Sequence, residues 1–267
     1  MIGVLVPAHD EQALIAGCLR SILVAARAPG LRGEPVQVVV ALDACSDGTA
    51  DICAAMGVRT VSLDARCVGR ARAAAAELLL EQGARWLAST DADSQVPPDW
   101  LAAQLACGAD AFFGTVRVAD WLDFAPRVRD AFHAGEHHVD GHPHVHGANL
   151  GVAAHAYRAV GGFPPLPAQE DRALRDALDR AGFAVARHAQ PAVTTSARRD
   201  ARARQGFGDE LPGQVRRGHP VDEHGGGCAG IPTLGVPHAH AQVSPGNGHI
   251  DRAIAVRHRA VHPPSIV

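Results

Sequence analysis

The sequence predicts an α/β protein with a mostly parallel sheet and helices on both faces. Two observations carry that expectation. Over the first 120 residues, short apolar runs alternate with segments of helical spacing. Three acid-bearing loops, "PAHDE", "DACSDGTAD" and "TDADSQ", follow apolar runs, and such sheets bind ligands at the carboxyl ends of their strands.

Taken in order, "IGVLV" (2–6) is an apolar run ended by Pro7, as a buried parallel strand would be. From Asp10 to about residue 28, Leu14, Ile15, Cys18, Leu19, Ile22 and Leu23 fall at helical spacing, with acids in the first turn. "VQVVVAL" (36–42) is a second strand, followed by a helix after Thr49. "VRTVSL" (58–63) is a third strand, and the Ala-rich stretch 69–82 reads as helix. "RWLAST" (85–90) is a fourth strand that runs straight into Asp91 and Asp93. Pro98 opens a helix through Cys107, and "ADAFFGTVRV" (109–118) is a fifth strand. Residues 120–167 are less regular and hold the histidine-rich "HHVDGHPHVHG" (137–147). A helix starts at about Glu170 and stops at Gly182.

The bulk numbers narrow the class. A chain of 267 residues suits one large α/β domain or two small ones. Net charge of −3 and a pI of 6.6 argue against nucleic acid or an anionic membrane as general partners. No window approaches the roughly 20 apolar residues that span a bilayer, and the N-terminus lacks a basic, cleavable leader. Six cysteines form no CxxC pair, which fits reduced thiols and a cytoplasmic location, with peripheral attachment at the inner membrane face left open. All 25 basic residues are arginine, so mechanisms that need a lysine are excluded.

Two regions divide the chain, 1–211 and 212–267. The second has no Phe, Trp or Tyr, one leucine and seven of the sixteen histidines. Such a composition buries too little apolar surface to offset ordering entropy, so a disordered tail is expected. Out-of-frame translation of a GC-rich gene would give the same composition.

The Asp91–Asp93 pair admits three readings. A solvated loop is the plainest. A phosphatase of the haloacid dehalogenase type would place its nucleophilic Asp after the first strand, whereas this pair follows the fourth. A divalent ion bridging a diphosphate is the third, since hard carboxylate oxygens suit Mg²⁺ or Mn²⁺. Two carboxylates about 5 Å apart repel by several kcal/mol at intermediate dielectric, and a 2+ ion cancels that.

The order "VPAHDE", Asp43 in "LDACSDGTAD", "VGRARAAA", "TDAD", "HGANLGVAAHAYRAVGGF" and "QEDRALRDALDRAG" resembles the family 2 glycosyltransferases of the GT-A fold. The resemblance covers about residues 2 to 211 and implies a Rossmann-like nucleotide-diphospho-sugar transferase. It implies that Pro7, Ala8, His9, Glu11 and Asp43 hold the nucleoside, with Asp43 accepting from a uracil edge. His9 stands where the family usually has Tyr or Phe. Arg72 matches a basic residue near the diphosphate. Asp91 would contact the ribose and share the metal, and Asp93 would bind the metal directly. Asp171, with Glu170 beside it, would supply the general base, and Asn149 an acceptor-side contact. Gly161-Gly162-Phe163 resembles the family's "GGF" turn. Ala177 stands where the family often has Arg; Arg198, with Arg199, Arg202 and Arg204, could supply phosphate charge instead.

The histidines at 137, 138, 142, 144 and 146 match no common zinc spacing and have no thiolate nearby. An acceptor-side loop is the preferred reading. The function expected is thus an inverting transfer, dependent on Mn²⁺ or Mg²⁺, from a nucleotide sugar (a UDP-sugar first) to a hydroxyl of a glycan, lipid or small molecule. A catalytically degenerate nucleotide-sugar binder is the alternative. A sugar-phosphate nucleotidyltransferase is disfavoured, because "PAHDE" has no glycine and the chain no lysine.

Overall fold

The computed structural model describes residues 1–118, 121, 129–130 and 139–196. His137, His138, the arginine run 198–204 and the expected boundary and tail at 211–212 lie outside the described residues.

The order of elements follows the alternation read from the sequence. β1 (Ile2–Ala8), α1 (Ile15–Ala25), β2 (Val36–Asp43), α2 (Thr49–Ala55), β3 (Arg59–Leu63), α3 (Val68–Glu81), β4 (Trp86–Ser89), α4 (Trp100–Ala106) and β5 (Ala111–Val118) come first. β6 (Leu150–Ala153), α5 (Ala154–Ala159), α6 (Glu170–Arg180) and β7 (Val185–Thr195) complete the described chain. The sheet has seven strands in the order β3-β2-β1-β4-β6-β5-β7. β1 is parallel to β2 and β4, β2 to β3, and β5 to β7, while β6 runs antiparallel to both neighbours.

Alternation along the strands divides the core between two faces. Ile2, Val4 and Val6 of β1 pack with Ile15, Leu19 and Ile22 of α1 and with Trp100 and Leu101 of α4. Leu5, Val39 and Leu87 face the other way, against Ala75 and Leu79 of α3 and Leu174 and Leu178 of α6. A Cβ on Gly3 would lie 3.0 Å from the Leu79 side chain, so glycine lets α3 close onto β1.

Three differences from the sequence reading have physical causes. Helix α1 starts at Ile15 rather than Asp10, because Asp10 takes φ 53° and its Oδ1 accepts the Ser46 N–H at 2.6 Å. Asp10 ahead of the helix is a loop pin. β6 is only four residues long, too short for a period to declare itself. β7 contains Pro191, which argues against a strand. It survives at the edge, where its register with β5 shifts between Gly114 and Val116.

The connections place the carboxyl ends of β1 and β4 side by side. From β1 the chain steps outward to β2 and β3, then crosses through α3 to β4 on the other flank of β1. This reversal of direction is the switch point at which open α/β sheets form their ligand crevice.

Candidate active site

The loops after β1 and β2 are laced together by side chains bonding to backbone. Asp10 Oδ1 also accepts the Asp47 N–H at 3.1 Å. Asp47 Oδ2 accepts the Gln12 N–H at 3.0 Å, and the Glu11 N–H donates to Thr49 Oγ1 at 2.7 Å. The backbone N–H of Ser46 is the leading cause that holds the Asp10 carboxyl below its usual range. At Asp47 burial pushes upward, but bonds from Thr49 and Gln12 prevail and hold it low. His9 Nδ1 lies 2.7 Å from the Asp43 carbonyl, so the ring is seated across both loops. Pro7 and Ala8 end β1 beside them, with the Ala8 carbonyl accepting from Cys45 Sγ at 3.3 Å.

Asp43, expected at the nucleoside, is bonded to backbone in this structure. Its Oδ1 accepts the N–H groups of Ala65 and Arg66 at 2.7 and 2.9 Å, and Oδ2 that of Cys67 at 2.7 Å. The residue is 4% exposed. In this conformation it shapes the loop into α3 and offers no open edge to a base.

Arg72 is the centre of the second half. It is 3% exposed. Nε donates to Glu170 Oε1 at 2.8 Å, Nη2 to Asp91 Oδ1 at 2.7 Å, and Nη1 to the Gly147 carbonyl at 3.1 Å and to Ser89 Oγ. The Phe163 ring lies 6.0 Å from its Cζ. Burial disfavours the guanidinium charge, but Asp91, Glu170 and Asp171 more than offset that and push its pKa up. Arg72 was expected near the diphosphate; its partners here are protein groups. Arg72 is committed to protein carboxylates and braces Asp91 from inside.

Asp91 and Asp93 stand at the carboxyl end of β4. The Asp91 side chain is 37% exposed although Oδ1 holds Arg72. Ser94 Oγ donates to Asp93 Oδ1 at 3.1 Å. The loop is tied to the end of β7: Gln95 N–H donates to the Thr194 carbonyl at 2.7 Å, and the Ser94 and Thr195 hydroxyls are 2.9 Å apart. Among the described residues, no group of three or more His, Cys, Asp or Glu is gathered to hold a metal ion. Two half-exposed carboxylates of hard oxygen donors nevertheless fit Mg²⁺ or Mn²⁺, which take one or two carboxylates and complete their shell with water and phosphate.

At the start of α6, Asp171 Oδ2 accepts the Gly147 N–H and Oδ1 the Arg172 N–H, both at 2.7 Å. Burial raises the carboxyl pKa values of Asp171 and Glu170, with Arg72 opposing. Glu170 is 4% exposed and faces Arg72.

Asn149, expected as an acceptor-side contact, lies in the core. It is wholly buried, its Nδ2 donates to the carbonyls of Thr115 and Pro191, and its Oδ1 accepts from Trp100 Nε1. Its amide locks β5 and β7 to α4 and has no exposed face. Gly161 and Gly162 take φ of 83° and 72°, and a Cβ at Gly162 would overlap the Tyr157 ring. His142, His144 and His146 stack in a row with ring centroids 5.7 and 5.8 Å apart. Arg198 lies outside the described residues. The sequence reading missed Ser89 and Gly147. Gly147 was legible only as the glycine of "HGANLG", and nothing in the sequence marked Ser89.

Residues 3–120 match the family model described as Glycosyl transferase family 2. Comparison with curated proteins finds no match. Among solved structures, S. aureus TarS 1–349 in complex with UDP-GlcNAc is similar at TM-score 0.59 and 14% identity, over 77% of this chain and 61% of that one. Mannosyltransferase PcManGT from Pyrobaculum calidifontis, in complex with GDP-Man and Mn²⁺, is similar at TM-score 0.57 and 20% identity, over 75% and 58%. Glucosyl-3-phosphoglycerate synthase from Mycobacterium tuberculosis, in complex with phosphoglyceric acid, gives 0.50 and 19%, over 70% and 69%. The chain thus spans about three fifths of the first two. Residues 3–120 are thus similar to glycosyl transferase family 2, and the sheet has the fold of these glycosyltransferase structures.

Proposed function

We propose that this protein is an inverting, divalent-metal-dependent glycosyltransferase that moves a sugar from a nucleotide sugar, a UDP-sugar first, to an acceptor hydroxyl. One observation carries the reading: the buried Arg72 guanidinium holds both Asp91, at the carboxyl end of β4, and Glu170, whose neighbour Asp171 lies in the first turn of α6. The Asp91–Asp93 end suits a donor diphosphate, the Asp171 end an acceptor. Bound UDP-GlcNAc in one structural neighbour, and GDP-Man with Mn²⁺ in another, support the donor class and the metal.

The nucleoside would rest on Pro7, Ala8, His9 and Glu11, on the floor that Asp43 shapes. Asp93, with the outward oxygen of Asp91, would hold Mn²⁺ or Mg²⁺. When bound, the ion neutralises charge on the departing diphosphate. Asp171 takes the acceptor proton as its oxygen attacks the anomeric carbon opposite the diphosphate, so one displacement inverts that carbon. A carboxyl raised by burial is a better base near neutral pH than an exposed one. Arg198 would add charge at the diphosphate. The acceptor is a hydroxyl of a glycan, lipid or small molecule. Free thiols at all five described cysteines support a reducing, cytoplasmic location. No helix among the described residues is long and apolar enough to cross a membrane.

Calorimetric titration of UDP, with Mn²⁺ and then with EDTA, tests the reading. Binding that needs the metal in the native protein and vanishes in Asp93→Ala is expected. Binding that persists in EDTA removes the Asp pair from the metal role.

A further inference from the structure

Asp171 has two neighbours that its role as base leaves unexplained, Arg72 and Gly147. We infer that Arg72, Gly147 and Glu170 form a positioning unit that sets the direction of the Asp171 carboxylate; the inference rests on the transferase reading above.

The four residues close a ring. Arg72 Nη1 donates to the Gly147 carbonyl at 3.1 Å, and the N–H of the same residue donates to Asp171 Oδ2 at 2.7 Å. Arg72 Nε returns to Glu170, the residue next to Asp171, at 2.8 Å. The other oxygen of Asp171 is held by the Arg172 N–H. Both oxygens of the base are therefore held by backbone N–H groups, and Arg72 anchors the Gly147 carbonyl, one Cα away from the N–H that holds Oδ2.

The third arm of the guanidinium reaches Asp91 at 2.7 Å. One rigid planar group thus fixes a donor-side carboxylate and the frame of the base together. A lysine ammonium, a point charge on a flexible stem, cannot reproduce three arms in one plane. Glycine at 147 is part of the same device, because a Cβ there would overlap Arg72 Nη2. Arg72 is too buried to touch substrate, so it acts through Asp171. A misplacement of about 1 Å at a reacting group can cost about 10²-fold in rate.

The test uses UDP-GlcNAc and GDP-mannose as donors, Mn²⁺, and water as acceptor, with release of nucleoside diphosphate as readout. Gly147→Ala and Glu170→Ala are measured alone and combined with Asp171→Asn, and folding is followed by thermal unfolding. Each single variant is expected to lower kcat about 10- to 10²-fold and leave KM within about twofold. Neither is expected to add to the loss in the Asp171→Asn background. Losses that multiply in that background, or that appear in KM with kcat kept, overturn the inference and leave the base role standing. An Asp171→Asn variant at the native rate overturns the base role instead. Amide exchange at Gly147 gives an arm independent of turnover and of the alanine variants' folding. Arg72→Lys should raise it at least about tenfold with β1 amides unchanged, and unchanged protection overturns the inference.

Discussion

The two halves of the crevice solve the same problem differently. On the side of β1 and β2, Asp10, Asp43 and Asp47 are satisfied by backbone N–H groups of neighbouring loops. On the side of β4 and α6, Asp91 and Glu170 share one guanidinium, and Asp171 lies within its field. Carboxylate-to-backbone bonds set the shape of a loop. A buried cation instead ties several segments at one point, here α3, the end of β4, the Gly147 loop and α6. The first device is a set of separate bonds that open one by one; the second fails as a unit.

The largest effect should follow from removing the cation. Arg72→Met leaves Glu170 buried without a counter-charge, and breaking a buried pair in this way costs about 3–5 kcal/mol. Urea unfolding measures it, and a loss below about 1 kcal/mol would erase the contrast between the halves. Asp43→Ala comes next. It strands three N–H groups, of which water can reach part, so about 2–3 kcal/mol is expected. A loss equal to that of Arg72→Met would mean that the first device is as cooperative as the second.

Acid separates the halves more finely. Asp10 and Asp47 have lowered folded pKa values, so their contribution is present above the usual carboxylate range near 4 and is lost as pH falls through the folded values. Glu170 and Asp171 have raised values. Their contribution is full below that range and is lost as pH rises through the folded values. Amide exchange between pH 6 and pH 3 should therefore show protection failing first at Ser46, Asp47 and Thr49, whose N–H groups Asp10 and Asp47 hold. Earlier failure at Gly147 would reverse the assignment. The smallest effect belongs to the exposed pair Arg85–Glu34, where Arg85 is 56% exposed. Arg85→Ala should cost under about 1 kcal/mol by the same urea measurement. A larger loss would mean that burial is not what separates Arg72 from a surface arginine.

Much of this was legible before the structure. β1 to β5 and the helices between them follow from apolar runs and helical spacing, which report burial directly. "TDAD" at a strand end pointed Asp91 and Asp93 to the ligand crevice through the strand-end rule, whereas "QED", with Asp171, was tied to it only by the family resemblance. β6 and β7 were not legible: one is too short to show a period, and the other carries Pro191, which only an edge strand tolerates.

By itself, the sequence determined which residues could carry charge to the crevice, because strand ends in a parallel sheet are set by local apolar pattern. Tertiary structure decided what each of those residues does. Asp43, Asn149 and Arg72 share the polar character expected of ligand contacts, yet burial turned the first two into packing devices and the third into a brace. The reason is physical. A polar side chain taken out of water must find its partners within the protein, and those partners come from segments tens of residues away that no local pattern records.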